Sequence, residues 1–453
     1  MRDLMRLPGA RLVTHAAIVI VVWLVMLFVN DNVDPLMNYY IALVAMYATA
    51  MFGMVILVGL SGQVSLGNGA LMAIGGYVFA LVTLNWQTVP ILGVPMNGLW
   101  AMGFAAVGGV VFGLLIGVLG ARLKGPYLAG LTLGIAVGLP AIVNRFPELL
   151  GGETGLQLTV PYPEGGYAAG AEEVDEQFTE ELPTEQEALP SEQASPGSED
   201  LLTLDTFPSE GASAEASVAP EDLLTVDNFP SGEASAAPED LLTVDNFPSA
   251  EASALPDATV DGSADGSGLD AVDVGFIIER WQATLAVAVA CIVGFVALNL
   301  VRGRQGRVWR AVRDDPVAAA VSGISPAKSK VYAFTVSSLF AALSGAVFAQ
   351  ILAYVGPGAF GLGLSLSLLV GIVLGGRSSL LGALIGAVLL VWLPEFVLSL
   401  SNDRGWEEQV TNNAPNLIYG LLVVLVVLVA PGGIVGTVQA IVGKAYRKVA
   451  RNG

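Results

Sequence analysis

The chain has 453 residues, 54% of them hydrophobic and 13% charged, with a mean hydropathy of +0.67. No soluble domain of this length has such a composition, so an all-α polytopic membrane protein is expected. The formal charge of −20 is uneven: residues 163–275 hold 28 of the 40 acidic side chains and none of the 20 Lys and Arg, leaving +8 on the remainder. One Cys (Cys291) excludes an internal disulfide or a thiolate cluster, and one His (His15) excludes a histidine-based metal site or a Ser/His/Asp triad.

A membrane-spanning helix needs about 20 mostly apolar residues. Arg2, Arg6 and Arg11 precede the apolar run 12–29, which is long for a signal sequence. Asn30-Asp31-Asn32 follows it where a small-residue cleavage site would stand, so the run reads as a retained first span. Nine more candidates follow at 37–58, 66–86, 98–119, 126–145, 280–301, 331–354, 364–376, 379–399 and 415–430. The third opens on Ser-Leu-Gly-Asn-Gly and the eighth is short, so either can be broken or re-entrant where protein or a cavity covers its backbone. Gly109, Gly113 and Gly117, and the pairs Gly371/Gly375 and Gly382/Gly386, form small-residue faces on which helices pack closely in membranes.

The expected organisation has three parts: an N-terminal half of the bundle over 1–162, an acidic segment over 163–275, and a C-terminal half over 276–453. The middle segment is rich in Glu, Asp, Ser, Ala, Pro and Gly, too polar to offset the entropy of ordering. It carries an imperfect repeat at 199–209, 221–231 and 239–249 of the form EDLLT-x-D-x-FPS. With a cytoplasmic N-terminus, 17 of the 20 basic residues fall on the inner face and only Arg145, Arg280 and Arg404 fall outside. Both termini are then expected inside and the acidic segment outside.

The segment 57–81, LVGLSGQVSLGNGALMAIGGYVFAL, puts six glycines and Ser61, Gln63, Ser65 and Asn68 at membrane depth. Polar groups there face a cavity or another helix. Gly62, Gln63, Ser65 and Asn68 are candidates for a translocation path, helix packing being the other reading of them. A phosphate loop fails, because no Gly-Lys-Ser/Thr follows the glycines. The loop 302–330 is basic, and Val308, Val312, Val317, Val321 and Ile324 recur in it at roughly helical spacing. A short amphipathic surface helix displayed to a soluble partner is expected.

The segment 60–77, LSGQVSLGNGALMAIGGY, resembles the signature near the second span in permease subunits of branched-chain amino-acid ABC importers. RLKGPYLAGLTLG (122–134), LLGGETGL (149–156), the stretch 306–349, and 370–395 with 419–436 resemble further parts of that family in the same order. The likeness covers essentially everything but the acidic segment; Asn68-Gly69 stands where the family more usually has a His-Ala type pair. The resemblance implies a type II-like importer permease of about ten spans in a prokaryotic inner membrane. It implies four further subunits: a second homologous permease, two cytoplasmic ATPases that bind the ATP, and an extracytoplasmic substrate-binding protein. No cofactor or metal is expected in this chain, nor a catalytic residue or a nucleic-acid partner; its other surroundings are lipid. Arg313, Asp314, Asp315, Ala319 and Gly323 are the residues expected to couple the loop to the ATPases.

Other readings stay open at this stage. Related permeases for urea or short-chain amides share these motifs. A stand-alone secondary carrier or channel, or a membrane-anchored interaction protein working through its acidic repeats, belongs to a different class. Buried chains of Asp, Glu and His, of the kind a proton pump needs, are absent from the expected spans.

Overall fold

A computed structural model of the chain describes residues 10–86, 88–89, 97–123, 127–158, 270–404, 417–418, 420–421, 428 and 432–438. Residues 163–269, with the three repeats, and most of the expected tenth span, 415–430, lie outside these. The first half of the bundle is α1 (Ala10–Asn30), α2 (Pro35–Met54), α3 (Asn68–Asn85), α4 (Gly98–Ala121), α5 (Tyr127–Arg145) and the single turn α6 (Pro147–Leu150). The second half is α7 (Asp270–Arg302), α8 (Arg304–Asp314), α9 (Pro316–Val321), α10 (Pro326–Leu352), α11 (Leu362–Gly375) and α12 (Leu380–Asp403). Among the described residues nine helices are long and apolar enough to cross a membrane, and they match the first nine expected spans. α7 starts at Asp270, inside the range assigned to the acidic segment on composition.

Local chemistry sets the helix starts. Pro35, Pro316 and Pro326 each stand in the first turn of their helix, where a missing N–H costs nothing. Asn97 caps α4 by accepting from the Trp100 N–H at 3.2 Å, and Ser325 caps α10 through the Lys328 N–H at 3.4 Å. Irregular backbone stands just before the third span and at the start of the eighth. The second span winds as a π-helix over its last six residues, Val55–Leu60, and the chain then runs non-helically to Asn68, where α3 begins. The eighth opens as a 3₁₀ turn, Gly358–Phe360, before α11.

α10 is the hub. It packs on α2, α3 and α4, while α2 also meets α7 and α12 and α1 lies mainly on α7. Of the apolar stretches, 78% of the one over α2 and its π-helix and 72% of that in α10 are buried, against 6% in α1, whose apolar side chains are exposed among the described residues. Missing side chains make the central contacts possible. A Cβ on Gly75 of α3 would overlap the backbone of Ala342, and one on Gly345 of α10 would overlap the backbone of Met72. On the other side of α10, Gly109 and Gly113 of α4 leave room for Ala342 and Ser338. The expected faces Gly371/Gly375 and Gly382/Gly386 close α11 on α12 in the same way. Polar ties add direction: Ser344 donates to the Met46 carbonyl at 2.7 Å, and Gln282 Nε2 donates to the carbonyls of Gln350 and Ile351 at 3.2 and 3.3 Å.

α10 has 27 residues, so its ends lie about 40 Å apart. One end carries α8 and α9. At the other, β2 (Tyr354–Val355) pairs antiparallel with β1 (Leu156–Gln157), in the register Leu156↔Val355 and Gln157↔Tyr354. This pair fixes the glycine- and threonine-rich turn 149–156 against the end of α10. Near the β-paired end, Asp31 after α1 forms an ion pair with Arg280 of α7. Towards the opposite end of the same two helices, His15 Nδ1 meets Asn299 Oδ1 at 3.0 Å and its Nε2 meets Arg302 at 3.3 Å.

The close crossing of α3 and α10 predicts the effect of filling it. Gly345→Leu is expected to destabilise the purified chain by about 1–3 kcal/mol or more, read as a lowered thermal midpoint in detergent or a failure to accumulate. Gly134→Leu on α5 puts its side chain into open space and is expected to leave the midpoint where it was. Equal midpoints for the two variants would refute the packing account.

Candidate functional site

The expected single surface helix is two helices, because Pro316 disfavours α geometry in the residue before it. Asp315 accordingly sits at φ −150°, ψ 101°, and the helical phase is reset between α8 and α9. The valine stripe therefore splits. In α8, Val312 and Trp309 turn inward, Trp309 being fully buried. Its indole donates to the Ser329 carbonyl at 3.1 Å and stacks on Tyr332 at 5.7 Å, which fastens α8 to the start of α10. In α9, Val317 and Val321 point outward, 72% and 86% exposed, and only Ala319 faces in.

α9 has only six residues and is built by its two ends. Asp315 accepts from the Val317 and Ala318 N–H groups at 2.8 and 3.0 Å, satisfying two of the free donors of the first turn. At the other end Ile324 N–H reaches the Ala319 carbonyl and Gly323 N–H the Ala320 carbonyl, both at 3.0 Å. That bond pair needs a left-handed residue, and Gly323 supplies it at φ +81°. Asp315 and Gly323 thus hold the shape of α9.

Arg313 reaches inward. Its Nη1 donates to the Gly59 carbonyl at 2.7 Å, while Nε and Nη2 hold Asp314 at 3.0 and 2.8 Å. Gly59 lies in the π-helical end of the second span, where the last carbonyls of a helix have no helical partner. A guanidinium there satisfies the carbonyl and suits the negative end of the helix dipole. Three residues on, Gly62 has φ +69°, and a Cβ on it would lie 2.6 Å from Arg313 Cγ. Gln63, buried, donates to Ser61 Oγ at 2.6 Å and to the Lys330 carbonyl at 3.3 Å. The break in the membrane span is thereby tied both to the end of α8 and to the start of α10.

The rest of the break faces other helices. Leu66 N–H donates to Thr132 Oγ1 of α5 at 3.0 Å, Gly67 N–H to Ser65 Oγ at 3.4 Å, and Gly69 N–H to Ser365 Oγ of α11 at 2.9 Å. Ser65 and Asn68 are both buried, and neither polar atom of the Asn68 side chain has a hydrogen-bond partner among the described residues. An uncompensated buried amide costs free energy, so this side chain gains from any conformation that gives it a partner.

The sequence-derived residues thus separate into three positions. Arg313, Asp314, Gly62 and Gln63 meet at one junction; Ser65 and Asn68 sit deeper, between α5 and α11; Asp315, Ala319 and Gly323 shape α9. Sequence reasoning missed Gly59, Thr132 and Ser365, which act through a backbone carbonyl or a hydroxyl contact across the bundle and leave no local pattern. It also missed Trp309. An indole among five arginines of a loop is a signal of anchoring that could have found it.

The family described as "Branched-chain amino acid transport system / permease component" matches residues 36–168 and 233–430, skipping part of the acidic segment. The high-affinity branched-chain amino acid transport system permease protein LivM of Escherichia coli (strain K12) is 26% identical over 397 residues, 86% of this chain and 68% of that protein. LivM of Salmonella typhimurium is 34% identical over 140 residues, 31% of this chain and 30% of its own length. The autoinducer 2 import system permease protein LsrC of Enterobacter sp. (strain 638) is 32% identical over 130 residues, 27% of this chain and 38% of that protein. No solved structure matches. With the family match spanning most of its length, the chain belongs to the branched-chain amino acid transport system permease components and is a multi-pass membrane permease of the LivM type.

Proposed function

We propose that this chain is the permease subunit of an inner-membrane ABC importer for branched-chain, hydrophobic amino acids, driven by separate ATPases through α8 and α9. The observation that carries the reading is the Arg313 guanidinium on the Gly59 carbonyl. It joins an exposed surface helix pair to the one break in the polypeptide between the second and third spans. The similarity to LivM over 86% of the chain favours amino acids as cargo, whereas the LsrC match covers 27%.

In this reading the loop 302–330 and both termini are cytoplasmic and residues 163–275 lie outside, appended to a bundle made of 1–162 and 276–453. Val317 and Val321 are the apolar surface that α9 offers to an ATPase. Closure of the ATPases on ATP displaces α8 and α9. Arg313 passes the displacement to the π-helix and Gly62, and Gln63 passes it to α10. The segment 61–67 then shifts the start of α3 against α5 and α11, re-siting Asn68 and opening the path to the other face. Such a switch between two packed arrangements needs ATP to favour one of them differentially. The chain itself supplies no nucleotide site, and an external binding protein delivers the substrate.

α5 supports a second permease. Its buried face is Leu128, Thr132, Ala136 and Val143. Gly130, Gly134 and Gly138 recur every four residues on the opposite face, and added side chains there would meet nothing within 4 Å among the described residues. An open small-residue face of this kind fits a partner helix.

Three outcomes are expected in proteoliposomes holding the full transporter. Arg313→Glu lowers leucine uptake roughly tenfold or more, as loss of a charged hydrogen bond implies, while ATP hydrolysis continues; unchanged uptake would remove Arg313 from the coupling route. Gly134→Leu leaves this chain folded but prevents a tagged second permease from co-purifying, and normal co-purification would assign that face to lipid. Leucine accumulates only with the ATPases present. Concentrative uptake by this chain alone would establish the secondary-carrier reading, and uptake of urea or acetamide in place of leucine would move the cargo to short-chain amides.

A further inference from the structure

A groove of about 460 Å³ runs between α4 and α10 at the end of the bundle that carries α8 and α9. Leu114 and Val118 wall it from α4 and Val331 and Tyr332 from α10, and Arg122 and Lys328 line it closer to that end. The order along each helix matters. On α4 the residues run Leu114, Val118, Arg122 at four-residue steps, so one face passes from apolar to cationic. α10 leads away from α8 and α9 and passes from Lys328 to Val331 and Thr335 in the opposite chain direction. The two gradients therefore coincide in space, with both cations at one end and the aliphatic walls at the other.

Arg122 and Lys328 are exposed, neither forms an ion pair among the described residues, and no acidic side chain lines the groove. Tyr332 is held in place by its stacking on Trp309. A ligand that fits must be amphipathic, with a chain for about two helical turns of apolar wall and an anionic group at the cationic end. We propose that this groove is a binding site for one anionic glycerophospholipid, its phosphate headgroup paired by Arg122 and Lys328 and an acyl chain lying along Leu114, Val118 and Val331. Basic pockets between membrane helices take anionic headgroups by this combination of charge and depth. A zwitterionic headgroup offers the two cations no net charge, so the site discriminates between lipid classes. A protein partner would have to bring acids of its own to the same rim.

The test is native mass spectrometry of the full chain released from micelles holding equal amounts of dioleoylphosphatidylglycerol and dioleoylphosphatidylcholine. Wild-type protein is expected to retain phosphatidylglycerol preferentially. Arg122→Gln with Lys328→Gln is expected to lose that preference roughly tenfold, at an unchanged thermal midpoint. Arg304→Gln with Arg307→Gln removes the same charge at the same end and is expected to keep the preference. Val118→Trp, which fills the groove and spares both cations, is expected to lower phosphatidylglycerol retention as well. Equal losses in the two double variants, equal retention of both lipids by the wild type, or full retention in Val118→Trp would each overturn the proposal. So would a second protein chain held through Arg122 and Lys328 with no lipid bound, which would make the groove a subunit interface.

Discussion

A polypeptide that breaks its helix inside a membrane must find a partner for every backbone group the break releases, and that constraint organises the centre of this protein. The break runs from Ser61 to Gly67, and its neighbours are those that can meet the debt of hydrogen bonds. Arg313 covers the Gly59 carbonyl, Thr132 the Leu66 N–H, and Ser365 the Gly69 N–H. These three residues come from α8, α5 and α11. The break therefore cannot move without altering its bonds to three separate helices, and none of the three can move without disturbing it.

That mutual dependence gives the break a natural role in switching. α10 is held rigidly against α3 and α4 by backbone approaches that leave no room for adjustment, so it transmits displacement as a body. The break is the opposite: a run of short hydrogen bonds to side chains, ending at an Asn68 amide left without partners. Under the proposed transport cycle, motion arrives where the bundle is stiff and is absorbed where its backbone is irregular. Arg313 is suited to the joint because a guanidinium can hold a carbonyl with one nitrogen and a carboxylate with the others, as it does with Gly59 and Asp314.

Much of this was legible in the chain. Nine helices follow from apolar length alone, since the bilayer imposes the same length on each. The break before the third span was visible in its Ser-Leu-Gly-Asn-Gly start, and the irregular start of the eighth in its shortness. The direction in which Val308, Val312, Val317 and Val321 point was not legible from periodicity, because one proline resets the phase between Val312 and Val317. Nor was the inward turn of Arg313. In a loop with five arginines, charge identifies the face of the membrane but cannot say which one reaches a backbone carbonyl 254 positions away.

The glycine faces carry the sharper lesson. Gly109-xxx-Gly113-xxx-Gly117 on α4 and Gly130-xxx-Gly134-xxx-Gly138 on α5 are the same pattern, yet the first is filled and the second is open. The difference lies in what α10 offers. It can present its small residues, Ser338 and Ala342, to α4 because α3 has already accepted the backbone of Ala342 on its other side through Gly75. α5 meets α3 through Thr132 and Gly67, and its outer face is free among the described residues. An open close-packing surface has no water-driven reason to exist in a bilayer, where lipid tails are as apolar as leucine. Its small residues allow close helix-to-helix van der Waals contact. The face of α5 that turns away from the bundle is thus the one a second permease would fit, and it belongs to the helix whose Thr132 holds the break.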